Sequence, residues 1–495
     1  MCGIVALWNC GSEALAEEMT RRIDHRGPDA LEVAALDDGT SFFGHARLSI
    51  IGPQDGRQPM QDGDRALVAN GEIYNHADLR REIGAQAFET KSDSETILRL
   101  GATGGDDWID RLDGMFAFAL RRNGSVLAAR DPLGIKPLYA ARMGEGIAFA
   151  SEAKAFDGLG LDVEAVPPGA LTGATGTRPW WSLPNAAHGL AGAPDPDAVA
   201  AELREVLERA VAKWMVSDVE VGAFLSGGLD SSLIAAIAAK RAPGRLKTFT
   251  VGVEGAADVE AARRVAAHIG SDHHERLFTP EEIAETLPTV LRHLETPCID
   301  SVRSSIPTHI VSRLAREHVK CVLTGEGADE LFAGYRWHKT LEGGAALAGA
   351  LDGELAGMHG VQLQRVDRMS MAVGLEARTP LLDRDLVDFA QAIPAEYKLW
   401  RGTDGREAPI EKWILRKACA DLLPDDLLWR TKSQFDEGSG VVDSVDEALS
   451  RLAGGKRLDR AGEQALYDEL FDAQFADPGA IRATAQAWGR HVEAA

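Results

Sequence analysis

The stretch Phe224-Leu225-Ser226-Gly227-Gly228-Leu229-Asp230-Ser231-Ser232 packs two glycines, three hydroxyls and a carboxylate into a short segment. An apolar run, Val219 to Ala223, precedes it, and a helical run, Leu233 to Lys240, follows. Strand, glycine turn and helix together aim backbone N–H groups at a phosphate. No Gly-Lys-Ser/Thr follows, so this is not the loop whose lysine reaches the β and γ phosphates. Asp230 instead suits Mg²⁺, which binds through one or two carboxylates plus phosphate oxygens. That combination fits a pyrophosphate leaving as a unit while AMP passes to the substrate. Taken alone, the stretch is also compatible with an ordinary glycine turn capping a helix.

Cys2 stands directly behind the initiator methionine. Removal of Met1 would set its thiol beside its own α-amine, whose ordinary pKa is about 7.7–8.0. Such an amine is able to relay the thiol proton, as in N-terminal threonine nucleophiles. The alternative is a buried cysteine opening the strand Gly3–Trp8. Behind it come Asp24-His25-Arg26-Gly27-Pro28-Asp29, Gly44-His45-Ala46-Arg47, Asn70-Gly71-Glu72-Ile73-Tyr74-Asn75 and Lys91-Ser92-Asp93-Ser94-Glu95. Each is a turn with charges, and Asn70-Gly71 is first a hairpin signal.

These residues need elements to position them. At 495 residues two or three domains are expected. A formal charge of −23 disfavours nucleic-acid and anionic-membrane surfaces. No apolar run approaches membrane-spanning length, which predicts a cytoplasmic protein. The five cysteines are scattered and never in C-x-x-C spacing, so neither disulfides nor zinc are expected. An Ala-, Gly- and Pro-rich segment over 185–197 marks a linker, and helical spacing runs from Asp197 to Trp214. Strands and helices then alternate, predicting a parallel sheet with ligands at the carboxyl ends of its strands. Thr324-Gly325-Glu326-Gly327-Ala328-Asp329-Glu330 emerges at that edge, so Asp230 and Asp329 are expected to face one Mg²⁺–pyrophosphate from two sides. His273-His274 is not expected to hold a metal, because adjacent strand residues point to opposite faces.

In their order behind Cys2, the N-terminal motifs resemble the class II glutamine amidotransferase domain. The later segments resemble the synthetase domain of glutamine-hydrolysing asparagine synthetases: the two glycine loops, Ser301-Val302-Arg303-Ser304-Ser305-Ile306-Pro307, Val373 to Asp383, Glu411-Lys412-Trp413-Ile414-Leu415-Arg416-Lys417 and Trp429 to Phe435. The resemblance implies an α+β N-terminal-nucleophile sandwich (αββα), then an α/β parallel-sheet ATP-pyrophosphatase domain with a mostly helical C-terminal part. The expected domains are 2–184 and 198–495. It implies that Cys2 attacks glutamine, that Asn70 and Gly71 form the oxyanion hole, and that Arg47 takes the glutamine carboxylate while Glu72 and Asp93 take its ammonium. Leu225, Ser226, Gly227, Gly228, Asp230, Ser231, Val251, Thr324 and Gly325 are the expected ATP contacts. Glu326 and Lys432 are expected at the reacting acyl group or phosphate, and Arg303, Arg378 and Asp383 at the substrate.

The implied co-substrate is ATP with Mg²⁺, and the implied partners are glutamine, aspartate and ATP; a homodimer is the assembly to test. Ser94, Ala328 and the segment Gly334–Lys339 depart from the family pattern. A related amide synthetase acting on another carboxylic acid is therefore the alternative. An inactive scaffold would require broken motifs, and the chemical positions are intact.

Overall fold

The structure is a computed structural model, in which residues 2–37, 39–102, 105–184, 194–402, 409–430 and 441–486 are described. The N-terminal half is built on two six-stranded sheets. Strand Cys2–Trp8 lies inside the first, antiparallel to Phe42–Arg47 with Cys2 opposite Arg47. Strand Arg65–Ile73 lies in the second and pairs with Gly114–Arg122. Ile4, Ala6, Phe43, Val68, Ala117 and Phe149 form one buried cluster joining residues of both sheets. Alternating side chains bury one face of each strand in this way. Asn70-Gly71 sits within strand Arg65–Ile73 and does not form the expected hairpin turn. Tertiary pairing overrides the local signal there: Gly71 has φ +148°, and a Cβ on it would lie 2.0 Å from the Met115 carbonyl oxygen.

The second half holds a five-stranded sheet ordered Asp272–Leu277, Lys247–Gly252, Val221–Phe224, Cys321–Leu323 and Glu376–Arg378. Its pairings are parallel, as the β-α alternation predicted. Helix Pro196–Trp214 begins inside the expected linker, because Asp195 caps it and Pro196 supplies a preset φ at its first turn. Residues 185–193 of that linker lie outside the described residues. Gly270, at φ +67°, ends helix Ala257–Ile269 as expected. No helix among the described residues is long and apolar enough to cross a membrane.

The halves share their hydrophobic cores. Tyr74, Met115, Leu133 and Ile135 of the first pack in one cluster with Leu203, Val211 and Trp214 of the second. Val5, Leu7 and Tyr139 join another with Val251, Leu287 and Val302.

Candidate active sites

Cys2 begins its strand and is buried at 8% exposure. Its backbone nitrogen donates to Asn70 Oδ1 at 2.9 Å. The amide end of Asn70 is thereby oriented, and its Nδ2 is buried with no hydrogen-bond partner. A buried donor without an acceptor is costly unless a ligand oxygen arrives. Burial pushes the Cys2 thiol above its ordinary range, while the Leu48 carbonyl neighbour and Arg47 act in the opposite direction. Arg47 donates to the carbonyl oxygens of Gly52, at 2.7 Å, and Pro53, at 3.1 Å, which holds its guanidinium in one place.

Around this thiol three carboxylates are buried: Glu72, Asp93 and Glu376. Burial, then Glu376 and Asp93, push Glu72 well above the usual carboxylate range, and its Oε2 has no hydrogen-bond partner. Asp93 Oδ2 accepts from the Ile73 amide at 2.7 Å; burial raises its pKa too. Arg378 already pairs with Glu376 at 2.6 Å and lies 3.8 Å from Glu72 Oε1, so Glu72 Oε2, buried and without a partner, is the oxygen that a further cationic group would meet.

The second site is a cleft of about 1030 Å³ at the carboxyl ends of the parallel strands. Gly227, at φ +78°, lets the loop turn beneath the helix Ala257–Ile269; a Cβ there would meet the Asp258 carbonyl oxygen at 2.2 Å. Ser226 and Ser231 are joined through their hydroxyls at 2.9 Å, and Ser232 Oγ donates to the Gly228 carbonyl at 2.6 Å. Gly228 caps helix Leu229–Ala239 without a side-chain cap, leaving first-turn N–H groups toward the cleft. Gly325 presses against the same turn, where a Cβ on it would fall only 2.7 Å from the Ser231 nitrogen.

Asp230 and Asp329 converge on one point, since the Lys412 ammonium contacts Asp230 Oδ2 at 2.5 Å and Asp329 Oδ1 at 2.6 Å. Asp230 Oδ1 is buried with no hydrogen-bond partner. The point of convergence holds the Lys412 ammonium, and the unpartnered Asp230 Oδ1 is an oxygen that fits a divalent cation bound to phosphate oxygens. Lys412 is 2% exposed; burial opposes its charge, but Asp230 and Asp329 more than offset this and raise its pKa. Further along the cleft, Arg365 Nη2 donates to Glu326 Oε1 at 2.6 Å. Glu330 is raised to about 8 by burial, with Asp329 adding to the rise, and it accepts from Tyr335 Oη at 2.5 Å and Gln362 Nε2 at 3.0 Å.

Residues 202–358 and 341–493 match the asparagine synthase family, and residues 1–171 match the glutamine amidotransferase domain. The chain belongs to the asparagine synthase family. Among curated relatives, "Asparagine synthetase [glutamine-hydrolyzing] 2" of Lotus japonicus is 37% identical, over 92% of this chain and 82% of the relative. The protein of that same name from Arabidopsis thaliana is 35% identical, over 98% of this chain and 89% of the relative. The Asparagus officinalis asparagine synthetase [glutamine-hydrolyzing] is 37% identical, over 89% of this chain and 78% of the relative.

The amidotransferase half brings Cys2, Arg47, Asn70, Gly71, Glu72 and Asp93 together. The synthetase cleft is lined by Leu225, Ser226, Gly227, Gly228, Asp230, Ser231, Val251, Thr324, Gly325, Glu326 and Asp329. Arg303 also lines it, but its guanidinium is bound to Glu463 at 2.7 Å and to Asp446 at 2.6 Å. Arg378 and Asp383 are elsewhere. Arg378 points to the seam between the halves, donating to the carbonyl oxygens of Trp214 and Val216 at 2.7 Å each. Asp383 accepts from Trp214 Nε1 at 2.8 Å and pairs with Lys213. Asp383 is drawn to the end of helix Pro196–Trp214 by Lys213, whereas the charge of Arg378 is met by Glu376 at 2.6 Å and by Glu72 at 3.8 Å, beside the amidotransferase site rather than in the cleft. Lys432 lies outside the described residues. Lys412 and Arg365 are among the cleft cations that sequence reasoning missed. Lys412 stands inside a segment that carries the family resemblance, but nothing local marks its target.

Proposed function

We propose that the protein is a glutamine-dependent, AMP-forming amide synthetase that converts aspartate to asparagine. The observation that carries this reading is the presence of both sites in one body with shared cores. One is a buried thiol facing an unpartnered amide donor; the other is a phosphate loop facing two convergent carboxylates.

In the first site the Cys2 thiolate attacks the glutamine amide carbon. Asn70 Nδ2 and the Gly71 N–H meet the developing oxyanion, where preorganised donors act most strongly. Ammonia leaves, and water cleaves the thioester to give glutamate. Arg47 takes the glutamine carboxylate, and Glu72 with Asp93 its ammonium; support comes from the pinned guanidinium and from the crowded, partly unpartnered carboxylates. Once Met1 is removed, the nitrogen held by Asn70 is the α-amine that accepts the thiol proton.

In the second site the acceptor carboxylate attacks the α-phosphorus of ATP and pyrophosphate departs. Ammonia then displaces AMP from the acyl carbon. The loop 226–232 and Lys412 hold the departing pyrophosphate, and Glu326 with Arg365 face the acyl group. Asp230 and Asp329 would hold Mg²⁺, which neutralises phosphate charge when bound. Lys432 belongs to the same reading, on resemblance alone. This reading places the enzyme in the cytosol, supplied with glutamine, aspartate and ATP. It includes a homodimer, which sedimentation velocity tests.

A second reading, another carboxylic acid as acceptor, draws on the prior commitment of Arg303 to Glu463 and Asp446 and on the glycines Gly353 and Gly357 in the cleft wall. The deciding experiment measures AMP and pyrophosphate release with MgATP and ammonium, comparing aspartate with a panel of carboxylic acids. Equal yields of AMP and asparagine from aspartate support the first reading. Aspartate inert beside an active alternative acid supports the second.

A further inference from the structure

Arg26 belongs to the amidotransferase half and is fully buried. Its Nε donates to the Cys2 carbonyl oxygen at 3.0 Å. Its two terminal nitrogens grip Asp367 as a fork, Nη1 to Oδ2 at 2.8 Å and Nη2 to Oδ1 at 3.2 Å. Asp367 comes from the other half, 341 positions along the chain, on helix Gln362–Met371. Glu152 accepts from the same Nη1 at 2.6 Å, yet it also pairs with Arg368, Lys154 and His25. Asp367 is thus the bidentate partner of Arg26, and a bidentate pair fixes orientation as well as charge.

We propose that Asp367 is a positioning residue for glutamine hydrolysis: by holding the Arg26 fork it fixes the Cys2 carbonyl, and with it the direction of the Cys2 nitrogen and thiol. The amidotransferase site is then completed by a side chain of the synthetase half. The same helix carries Gln362 and Arg365 into the synthetase cleft, so one rigid element touches both sites. This proposal rests on Cys2 as the nucleophile, and Cys2→Ala tests that separately.

The charges around Asp367 shape the test. Arg26, Arg368, Lys136 and Lys154 face Glu152, Glu295 and Asp367, with direct contacts among them. Within this ion-paired set the cations exceed the anions by one, with buried Arg130, Asp131 and Glu376 close by; Asp367→Asn raises the excess within the set to two, which destabilises. Asp367→Asn with Lys136→Met restores an excess of one without restoring the grip on Arg26.

Glutamate release from glutamine and ammonia-dependent AMP formation are measured for Asp367→Asn and for the double variant. The expected result is glutaminase kcat lowered on the order of tenfold in both, KM for glutamine within about twofold, and ammonia-dependent AMP formation kept. The added substitution Arg26→Gln then costs little further, because the two residues act as one unit. The proposal is overturned by a double variant with wild-type glutaminase, which would leave charge balance as the only role of Asp367. It is equally overturned by parallel loss of both activities in the double variant, or by full additivity with Arg26→Gln.

Discussion

Lys412 Nζ lies 2.5 Å from Asp230 Oδ2, joining residues 182 positions apart across the phosphate loop. Gly334 makes the geometry possible: a Cβ there would fall 2.2 Å from Lys412 Cε and 1.8 Å from Asp329 Oδ1. The ammonium therefore bridges two carboxylates beside the glycine loop.

Lys412→Met leaves Asp230 and Asp329 facing each other without the ammonium that joins them. AMP formation is expected to fall on the order of 10²-fold or more, with glutamine or ammonium as nitrogen source. Glutamine hydrolysis measured without ATP stays near wild type. Near-normal AMP release would remove Lys412 from the phosphate clamp.

Cys2→Ala takes away the nucleophile and leaves the second cleft intact. Glutamine-dependent amide formation drops to background while ammonium still supports AMP release. Loss of both activities would refute the division into two sites.

Asn70→Ala removes the unpartnered donor beside Cys2. Glutaminase kcat is expected to fall about 10²–10³-fold, the usual cost of one oxyanion donor. KM for glutamine should move far less. A drop confined to KM would reassign Asn70 to substrate binding.

His45 sits beside this site and is 1% exposed. Burial, then the Arg47 charge, lower its pKa from 6.5 to about 3. Between those values the unfolded chain takes up a proton that the folded chain refuses. Stability is therefore full above the unfolded value and falls as pH drops through the window, by up to about 1.4 kcal/mol per pH unit. Thermal midpoints at about pH 7 and about pH 5 should diverge less in His45→Gln than in wild type. Equal divergence would clear His45 of the acid sensitivity.

Much of the second site is legible in the residues alone, because its chemistry is local. A strand, two glycines and a helix start fix the course of the backbone within a few residues, and hydroxyl and carboxylate positions follow from it. The amidotransferase residues are scattered over four short motifs, each an ordinary charged turn by itself. They become readable through their joint resemblance to a family, and the structure gathers them around Cys2. Asn70-Gly71 shows the limit of local signals: the turn preference is real, yet pairing with Gly114–Arg122 holds it in a strand.

Ion pairs between distant segments follow another rule. Arg378 and Asp383 lie in a segment resembling the synthetase and are expected from it at the substrate, but Asp383 pairs with Lys213 and Arg378 with its near neighbour Glu376 and with distant Glu72. Lys412 reaches Asp230 and Asp329, and Arg26 reaches Asp367, with no periodicity or spacing to announce either. A buried charge needs an opposite charge wherever the packed chain offers one, and that choice is made only when the halves close on each other. The sequence by itself determined the phosphate loop, the parallel sheet beneath it and the candidate nucleophile. The tertiary structure decided which charges meet, and so how the two sites are built into one body.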